Sequence, residues 1–347
     1  MNNILVTGNL GYIGSVLTEE LQSIGYHVVG FDIGYFKDCL IAKETNPHKQ
    51  IIKDLRDIDK YDLDVIDGII HLAGLSNDPL GELKKNITNN VNYHATMKFA
   101  NLAKQLGIKR FVYASSQSMY GISDTKNELD EHYSKKNPVT AYARTKWEAE
   151  LELKKMHSND FVVACFRPST VFGASPRLRC DVVYNNLVAC AYTTGKIEIL
   201  SDGSPWRPVV HVKDVCQAFI AGLEAPAELV GGKAFNVGIL DGNYTVRNLA
   251  EAAQKSVPGS ELVFLNEHTD PRSYRVSFKR ILSELKDYFK PEWDLDKGGR
   301  ELIAYFDKVN FTEDNFRGKT CNRLAQLEYL QSSQIINNDL RFNNNEI

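Results

Sequence analysis

Residues 3–14 read NILVTGNLGYIG, an apolar run that is followed directly by three glycines at positions 8, 11 and 14. A helical pattern then continues from Tyr12 to about Gly25. Glycines at this spacing let the chain turn tightly between a strand and a helix, and the start of the helix offers free N–H groups to a pyrophosphate. The stretch therefore predicts a dinucleotide-binding turn between the first strand and the first helix. The alternative is a glycine turn that serves only packing.

The second apolar run, HVVGFD at residues 27–32, ends in Asp32. A carboxylate at the end of the second strand can accept hydrogen bonds from both hydroxyls of an adenosine ribose, and it would repel a 2′-phosphate. Asp32 therefore favours NAD over NADP as the cofactor. A turn that serves only packing would leave this carboxylate unexplained.

Short β-branched runs alternate with helix-length segments as far as Pro168, and the runs are apolar throughout. Such alternation indicates βαβ units, and apolar runs are typical of strands covered on both faces. We therefore predict an α/β fold, a doubly wound parallel (Rossmann) sheet with a smaller mixed substrate-binding lobe. The predicted units are a Rossmann domain of residues 1–168 plus about 209–238, a lobe of about 169–208 and 239–310, and a C-terminal extension of residues 311–347.

The C-terminal extension contains one amphipathic stretch, RLAQLEYLQ at residues 323–331, and ends in LRFNNNEI. We expect the amphipathic stretch to pack as a helix. We expect the Asn-rich end to fray, as chain ends commonly do.

The charge and cysteine content exclude several classes of function. The 347 residues carry 41 basic and 44 acidic side chains, so no global positive field favours nucleic acid or an anionic membrane. No apolar run approaches the roughly 20 residues that span a bilayer, and the start MNNILVTGN lacks the regions of a signal peptide. We expect a cytoplasmic protein. The six cysteines are scattered, without a second Cys or a His pair at ligand spacing, so we expect reduced, buried thiols and no metal site.

The segment TAYARTKWEAE, residues 140–150, combines a capping residue, Thr140, with strong helix formers. A spacing of four residues puts Tyr142 and Lys146 on one face of the helix. An ammonium beside a phenol favours the phenolate, so Tyr142 could accept or donate a proton near neutral pH. Residues 115–118 (SSQS) end a predicted strand of the same sheet, where a hydroxyl can orient a reacting oxygen. The alternative is an amphipathic helix that carries Tyr and Lys by chance.

With its further motifs, the sequence resembles an extended short-chain dehydrogenase/reductase of the nucleotide-sugar epimerase and dehydratase branch. The resemblance covers at least residues 1–285. It is carried by the glycine turn (8–14), Asp32, DLRD (54–57), HLAG (71–74), NYHAT (92–96), SSQSMYG (115–121), Y-x-x-x-K (142–146), RPSTVFG (167–173) and RPVVHVKDV (207–215). It implies NAD as cofactor, a nucleotide-diphosphate sugar as substrate, and a homodimer that pairs the helices beginning near Asn89 and Thr140.

The resemblance also implies roles for particular residues. Ser116, Tyr142 and Lys146 would form the catalytic set, and Tyr142 and Lys146 would also bind the cofactor. The other implied cofactor-binding residues are Gly8, Gly11, Tyr12, Ile13, Gly14, Asp32, Asp54, Leu55, Leu72, Ala73, Gly74, Asn92 and Pro168. Of these, Asp54 and Leu55 would flank the adenine. Residues 72–74 would lie along the pyrophosphate and the nicotinamide ribose, and Pro168 would lie near the carboxamide.

For the sugar nucleotide, Arg207 and Arg272 match positions where the family places arginine on the diphosphate, which suits a planar cationic fork. For each arginine the alternative is a solvated surface charge. The further substrate-binding candidates are Ser76, Asn77, Gln117, Ser118, Thr170, Arg177, Arg179, Asn185 and Asn186.

The sequence departs from the best-known members of this branch. The 4,6-dehydratases carry Asp-Glu after the catalytic hydroxyl, whereas Gln117 and Ser118 stand here and leave no carboxyl pair for elimination. UDP-galactose 4-epimerases usually carry Lys at the position of Ser76 and Asn at that of Thr170. LSNDPLG (75–81) and DPRSYRVSF (270–278) resemble a less defined subgroup of bacterial deoxysugar and heptose pathways.

The resemblance thus predicts an NAD-dependent nucleotide-diphosphate-sugar epimerase that acts through a 4-keto intermediate. One alternative is an NAD(H)-dependent C4 dehydrogenase or 4-ketoreductase. A non-enzymatic alternative is an idle NAD-binding scaffold or sensor, which could dispense with the reacting hydroxyls. The sequence leaves the nucleotide base and the sugar open.

Overall fold

The structure, a computed structural model, describes residues 1–76, 84–265 and 273–343. Two of the predicted substrate-binding residues, Asn77 and Arg272, lie outside this part of the chain. The strands are β1 (Asn3–Thr7), β2 (His27–Asp32), β3 (Lys49–Ile52), β4 (Gly68–His71), β5 (Arg110–Ala114), β6 (Val162–Pro168), β7 (Thr170–Phe172), β8 (Lys196–Ile199), β9 (Trp206–His211), β10 (Lys233–Val237), β11 (Asn243–Thr245) and β12 (Glu261–Phe264).

The helices are distributed over the whole described chain. They are α1 (Tyr12–Ser23), α2 (Lys85–Asn89), α3 (Thr96–Gln105), α4 (Ala141–Met156), α5 (Val183–Thr194), α6 (Val212–Glu224), α7 (Ala227–Val230), α8 (Val246–Ser256), α9 (Lys279–Glu284), α10 (Leu295–Val309), α11 (Glu313–Arg317) and α12 (Arg323–Ser332). A π-helical turn, Asn90–Ala95, joins α2 to α3.

Within the described residues, seven strands form the main sheet in the order β10-β6-β5-β4-β1-β2-β3. Each neighbouring pair is parallel. Helices cover both faces, with α1 and α6 on one side and α3 and α4 on the other. The predicted doubly wound parallel sheet is confirmed. Because β1 pairs with both β2 and β4, the strand order reverses between β1 and β4, where ligands of such sheets bind.

In this domain, a capping side chain marks the start of one predicted helix but not of the other. Thr140 Oγ1 accepts a hydrogen bond from the Ala143 N–H at 3.1 Å, so α4 begins where its cap indicates. The helix predicted from about Asn89 begins earlier, at Lys85, and contains the π-helical turn. Lys84, the residue before it, makes no side-chain capping hydrogen bond, so the sequence contains no capping signal there.

The smaller lobe contains mixed strands. β9 lies between β7, which runs parallel to it, and β11, which runs antiparallel; β8 pairs in parallel with β12. The predicted mixed lobe is therefore confirmed. We retain the domain boundaries given above as a proposal; β9 spans the boundary between residues 208 and 209.

The C-terminal extension folds back on the main domain. The helix predicted at residues 323–331 is confirmed as α12. The expectation that the following end frays is wrong as far as residue 343, because Leu340 is fully buried and the Phe342 ring stacks on Tyr35 with centroids 5.7 Å apart. The last four residues lie outside the described chain.

All six cysteines are buried as free thiols, which confirms the expectation drawn from their scattered positions. None of the described helices is long and apolar enough to cross a membrane.

Candidate active site

A cleft of about 950 Å³ lies at the carboxyl edge of the main sheet and extends to the smaller lobe. This volume is at the upper end of the usual range for ligand pockets, about 300–1,000 Å³. The structure brings many of the predicted residues to its wall: Gly8, Gly11, Tyr12, Ile13, Gly14, Leu72, Gly74, Ser76, Ser116, Gln117, Ser118, Tyr142, Lys146, Pro168, Thr170, Arg179, Asn186 and Arg207. Residues predicted for cofactor, catalysis and substrate therefore share one cavity.

The glycine turn leaves no room for side chains. Gly8 has a φ of +78°, and a Cβ built on it would lie 2.9 Å from the Ala73 nitrogen. A Cβ on Gly14 would lie 2.2 Å from the Gly8 carbonyl oxygen. Gly11 precedes α1 without a capping side chain, so the first N–H groups of the helix have no local acceptor. The turn thus fits the close approach of a pyrophosphate.

Asp32 is held in a fixed orientation at the end of β2. Its carboxylate accepts hydrogen bonds from the Leu10 N–H at 3.2 Å and the Gly34 N–H at 2.7 Å. Burial raises the pKa of Asp32, and the two N–H groups together with nearby arginines act in the opposite direction. The carboxylate is thus held beside the glycine turn, and Asp32 itself is not among the residues that line the cleft.

Asp54 and Leu55, which the resemblance places beside the adenine, do not line the cleft. The Asp54 carboxylate is bound by its neighbour Arg56, whose Nε lies 3.0 Å from each carboxylate oxygen. Leu55 is buried in the core on the α3 side of the sheet. The local turn that begins at Asp54 directs the carboxylate to Arg56 and the leucine inward, so the cleft does not reach either residue.

Ala73 and Asn92 support the cleft from behind. The Ala73 N–H donates to Thr7 Oγ1 at 3.3 Å, which joins the ends of β4 and β1. Asn92, in the π-helical turn, accepts from the Leu75 N–H at 2.8 Å and donates to the Leu75 carbonyl at 3.1 Å. These contacts fix the backbone that follows β4.

Lys146 is buried at the end of β5. Its Nζ donates to the Ala114 carbonyl at 2.8 Å and lies 4.9 Å from the centroid of the Tyr113 ring. Burial lowers the pKa of Lys146 to about 8, so the ammonium form still predominates at neutral pH. A Cβ on Gly74 would lie 3.7 Å from this Nζ. The cation is therefore held between β5 and the segment after β4, close to the predicted cofactor.

The two hydroxyl groups of the predicted catalytic set also line the cleft. Tyr142 lies in the first turn of α4, one turn before Lys146. Ser116 follows β5; its Oγ accepts from the Ser118 N–H at 3.2 Å and lies 2.8 Å from Ser118 Oγ. These two contacts orient Ser116 at the carboxyl edge of the sheet, so a substrate oxygen can meet its hydroxyl.

A buried polar network beneath these residues was not predicted. Glu150 Oε1 lies 2.5 Å from Arg167 Nη2, and both side chains are at most 1% exposed. Ser115 Oγ donates to Glu150 Oε2 at 2.6 Å. The pair ties α4, which carries Tyr142 and Lys146, to β5 and β6. Glu150 follows Lys146 by four residues, and this spacing on the catalytic helix face is the signal that could have identified it.

Two of the predicted arginines lie at the cleft wall. Arg179 is paired with Asp181 at 2.8 Å, and its Nη1 lies 3.4 Å from Ser76 Oγ. Arg207 Nη1 donates to the Trp206 carbonyl at 2.8 Å. Both side chains therefore line the cleft, and that of Arg179 reaches across to Ser76, which follows β4 of the main sheet.

Arg177, by contrast, does not line the cleft. It is 2% exposed, and its Nε and Nη2 bind Glu44 at 2.7 and 2.6 Å. Its Nη1 donates to the Phe36 and Lys37 carbonyls. These internal contacts occupy its guanidinium fork, so the structure does not bring Arg177 to the other predicted substrate-binding residues.

Two predicted amide side chains are also engaged inside the protein. Gln117 is 1% exposed and donates to the Arg167 carbonyl at 2.9 Å. Asn185 accepts from the Gly173 N–H at 2.9 Å and donates to Tyr12 Oη at 3.1 Å. Gln117 nevertheless lines the cleft, as do Asn186 and Thr170, whereas Asn185 supports the wall from behind.

The cleft also has lining residues that sequence reasoning missed. They include Phe36 and three residues of the C-terminal extension, Asn322, Arg323 and Leu324. The amphipathic pattern of α12 indicates that the helix packs, but it contains no signal for the surface against which it packs.

Comparison with known proteins agrees with this geometry. The family model described as the NAD dependent epimerase/dehydratase family matches residues 4–238. The chain is 27% identical over 349 residues to UDP-glucose 4-epimerase of Bacillus subtilis (strain 168), and the match covers 91% of this chain and 98% of that protein. It is 25% identical over 324 residues to UDP-glucuronic acid decarboxylase 1 of Arabidopsis thaliana, covering 91% and 72%.

Among solved structures, MoeE5 in complex with UDP-glucuronic acid and NAD is 25% identical to this chain, with a TM-score of 0.75. The match covers 88% of this chain and 99% of MoeE5. The resemblance inferred from the motifs is therefore confirmed, together with NAD as the cofactor. The chain is an enzyme that belongs to the NAD-dependent epimerase/dehydratase family.

Proposed function

We propose that this enzyme is an epimerase that acts at C4 of a nucleotide-diphosphate sugar through a 4-keto intermediate. The observation that carries the proposal is the position of Tyr142, Lys146 and Ser116 in the middle of one cleft. The glycine turn, Arg179 and Arg207 line the same cleft. A sugar between the three catalytic residues would have a nicotinamide on one side and its own diphosphate on the other.

The reaction removes a proton from the C4 hydroxyl oxygen and a hydride from C4 itself, which leaves a 4-keto group. Tyr142 takes the proton of the C4 hydroxyl, and Ser116 hydrogen-bonds the same oxygen. Lys146 holds a positive charge near the tyrosine and so favours its phenolate. When bound, NAD accepts the hydride from C4 and can return it. If the 4-keto sugar rotates in the cleft and takes the hydride back on its opposite face, the product is the C4 epimer.

The lobe side of the cleft supports an anionic substrate. Arginine forks bind phosphate oxygens in a bidentate manner, and Arg207 and Arg179 both line the cleft, so they are the candidates to bind the diphosphate. The names of the relatives also support this substrate class. The Bacillus protein is a UDP-glucose 4-epimerase, and MoeE5 is solved with UDP-glucuronic acid.

One observation favours a second candidate, a C4 dehydrogenase or 4-ketoreductase. Ser76 and Thr170 line the cleft at positions where the best-known epimerases resembled by this chain carry Lys and Asn. Smaller side chains there could let the 4-keto sugar leave before the hydride returns.

Substrate labelled with deuterium at C4 separates the two candidates. With no added cofactor, we expect the epimerised sugar to keep its label at C4 over many turnovers, because the same hydride is returned within one active site. Mass spectrometry of the product measures the label, and NADH absorbance measures release of the hydride.

The control is the same incubation with unlabelled substrate and with added NAD. A released 4-keto sugar, with label appearing stoichiometrically in NADH, would contradict the epimerase and identify the dehydrogenase.

We also propose a homodimer that pairs the helical segment of residues 85–105 and α4 with their symmetry mates. An isologous two-fold dimer is the commonest closed assembly. Light scattering at micromolar concentration is expected to give about twice the chain mass of 39.1 kDa. A mass near that of one chain would contradict the dimer.

A further inference from the structure

The C-terminal extension covers the two loops that flank the nucleotide end of the cleft. Leu327, Leu330 and Leu340 pack with Tyr35, which follows β2, and with Leu75, which follows β4. Both loops leave the carboxyl edge of the main sheet beside β1, where the strand order reverses. The extension is therefore part of the wall at the end of the cleft where the dinucleotide is expected.

Polar contacts fix the position of the extension. Arg56 Nη1 donates to the Asp339 carbonyl at 2.8 Å, and its Nη2 donates to the Leu340 carbonyl at 3.3 Å. Arg341 forms an ion pair with Asp57. The extension is thus attached at the segment that follows β3, at the same edge of the sheet.

Arg323, the first residue of α12, lies at the cleft wall between Asn322 and Leu324 and is only 3% exposed. Its Nη2 donates to the Arg177 carbonyl at 2.6 Å, and its Nη1 donates to the Thr320 carbonyl at 3.1 Å. These two backbone acceptors hold the guanidinium in place.

Among the described residues, Arg323 forms no ion pair with a carboxylate, and Asp32 and Asp181 act on its charge only from farther away. Within the described chain, no Asp or Glu oxygen lies within 4.0 Å of it. The two carbonyls use two of its five N–H donors, and its guanidinium lies 4.9 Å from the centroid of the Phe36 ring. A buried cation is costly unless an anion meets it. The arrangement is therefore suited to an anionic ligand that enters the cleft.

The glycine turn lines the same cleft as this cation, and residues 175–177 connect the two. Ser175 Oγ donates to the Tyr12 carbonyl at 2.9 Å and lies 3.0 Å from Ser15 Oγ. The chain segment that supplies the Arg177 carbonyl to Arg323 is therefore fastened to the first turn of α1. Because Arg323 and the N-terminus of α1 line one cleft, both are candidates to bind the same pyrophosphate.

We propose that Arg323 is a cofactor-binding residue that binds the pyrophosphate of NAD, so that the C-terminal extension completes the cofactor site. This inference depends on the NAD requirement of the family and not on the reaction at the sugar. It adds to the glycine turn a ligand that no family motif of the first 285 residues contains.

The test uses the full-length protein freed of bound nucleotide, titrated by calorimetry with NAD, ADP-ribose and the phosphate-free probe adenosine. Loss of a charge-assisted hydrogen bond in Arg323→Gln is expected to weaken NAD and ADP-ribose about 10- to 100-fold. Adenosine binding should stay unchanged. Arg323→Lys keeps the charge but not the guanidinium fork, so its loss of affinity for NAD and ADP-ribose should be intermediate. Arg317→Gln, at an exposed arginine of the same extension, is the matched control and should bind NAD normally.

Three results would overturn the proposal. Equal weakening of adenosine and NAD would show that Arg323 only supports the wall, and unchanged NAD affinity would show that it does not contact the cofactor. A wild-type preference for NADP that is lost in Arg323→Gln would assign the guanidinium to a 2′-phosphate instead. If Arg323→Gln gives no cooperative melting transition, Arg323→Lys decides the same question. These titrations contain no sugar, so failure of the epimerase proposal would leave them unaffected.

Discussion

Replacing Tyr142 with phenylalanine is expected to lower kcat by at least about 100-fold, the usual effect of removing a general acid/base. The phenyl ring keeps the shape of the side chain but cannot take the proton of the C4 hydroxyl. NAD affinity should change by no more than a few-fold, because the glycine turn and Asp32 are untouched. Turnover of the sugar nucleotide and a separate NAD titration measure the two quantities.

Tyr133→Phe is the matched control, since the Tyr133 side chain is 94% exposed. It should leave turnover unchanged. Activity in Tyr142→Phe close to that of the wild type would remove Tyr142 from the mechanism, and an equal loss of NAD affinity would assign it to binding alone.

Replacing Glu150 with glutamine is expected to lower the free energy of unfolding by about 3–5 kcal/mol, because it leaves a buried guanidinium without its counter-charge. Glu150 and Arg167 are both almost completely buried, so water cannot substitute for the lost carboxylate. The same change should loosen α4 against β5 and β6. Urea denaturation followed by circular dichroism gives the loss of stability.

An exposed ion pair on the same helix provides the control. Glu152 pairs with Lys155 at 2.6 Å, with the two side chains 40% and 70% exposed, and Glu152→Gln should cost no more than about 1 kcal/mol. A loss in Glu150→Gln that is as small as this would mean that the buried pair does not hold the catalytic helix.

For the catalytic helix, the local sequence was enough to predict where the helix begins and which face carries Tyr142 and Lys146. Thr140 caps it, and the spacing of Tyr142 and Lys146 places both on one face wherever the helix lies. Glu150 continues the same four-residue spacing, but a carboxylate is not expected to be buried there. Only the position of Arg167 on β6 explains its burial. The sequence carries the period of the helix, whereas the partner comes from a strand that lies next to it only in the folded sheet.

For Arg177 and Arg323, the local sequence could not show which arginine is available to a ligand. Both are arginines in polar surroundings of the sequence, and the family resemblance suggested only Arg177 as a ligand. In the folded protein Glu44 occupies Arg177, while Arg323 reaches the cleft from a helix more than 300 residues after the glycine turn. An arginine is available for a ligand only if no internal carboxylate takes it, and that depends on contacts between distant segments.

The sequence by itself determined the parallel sheet, the dinucleotide turn and the catalytic helix, because each depends on the order of residues within one short segment. Apolar runs specify strands, closely spaced glycines specify the turn, and a cap with a four-residue spacing specifies the helix face. Only the tertiary structure decided which polar side chains reach the cleft and that the C-terminal extension forms part of its wall. Those features depend on which distant segments pack together, and packing is set by complementary surfaces and charges that no local pattern contains.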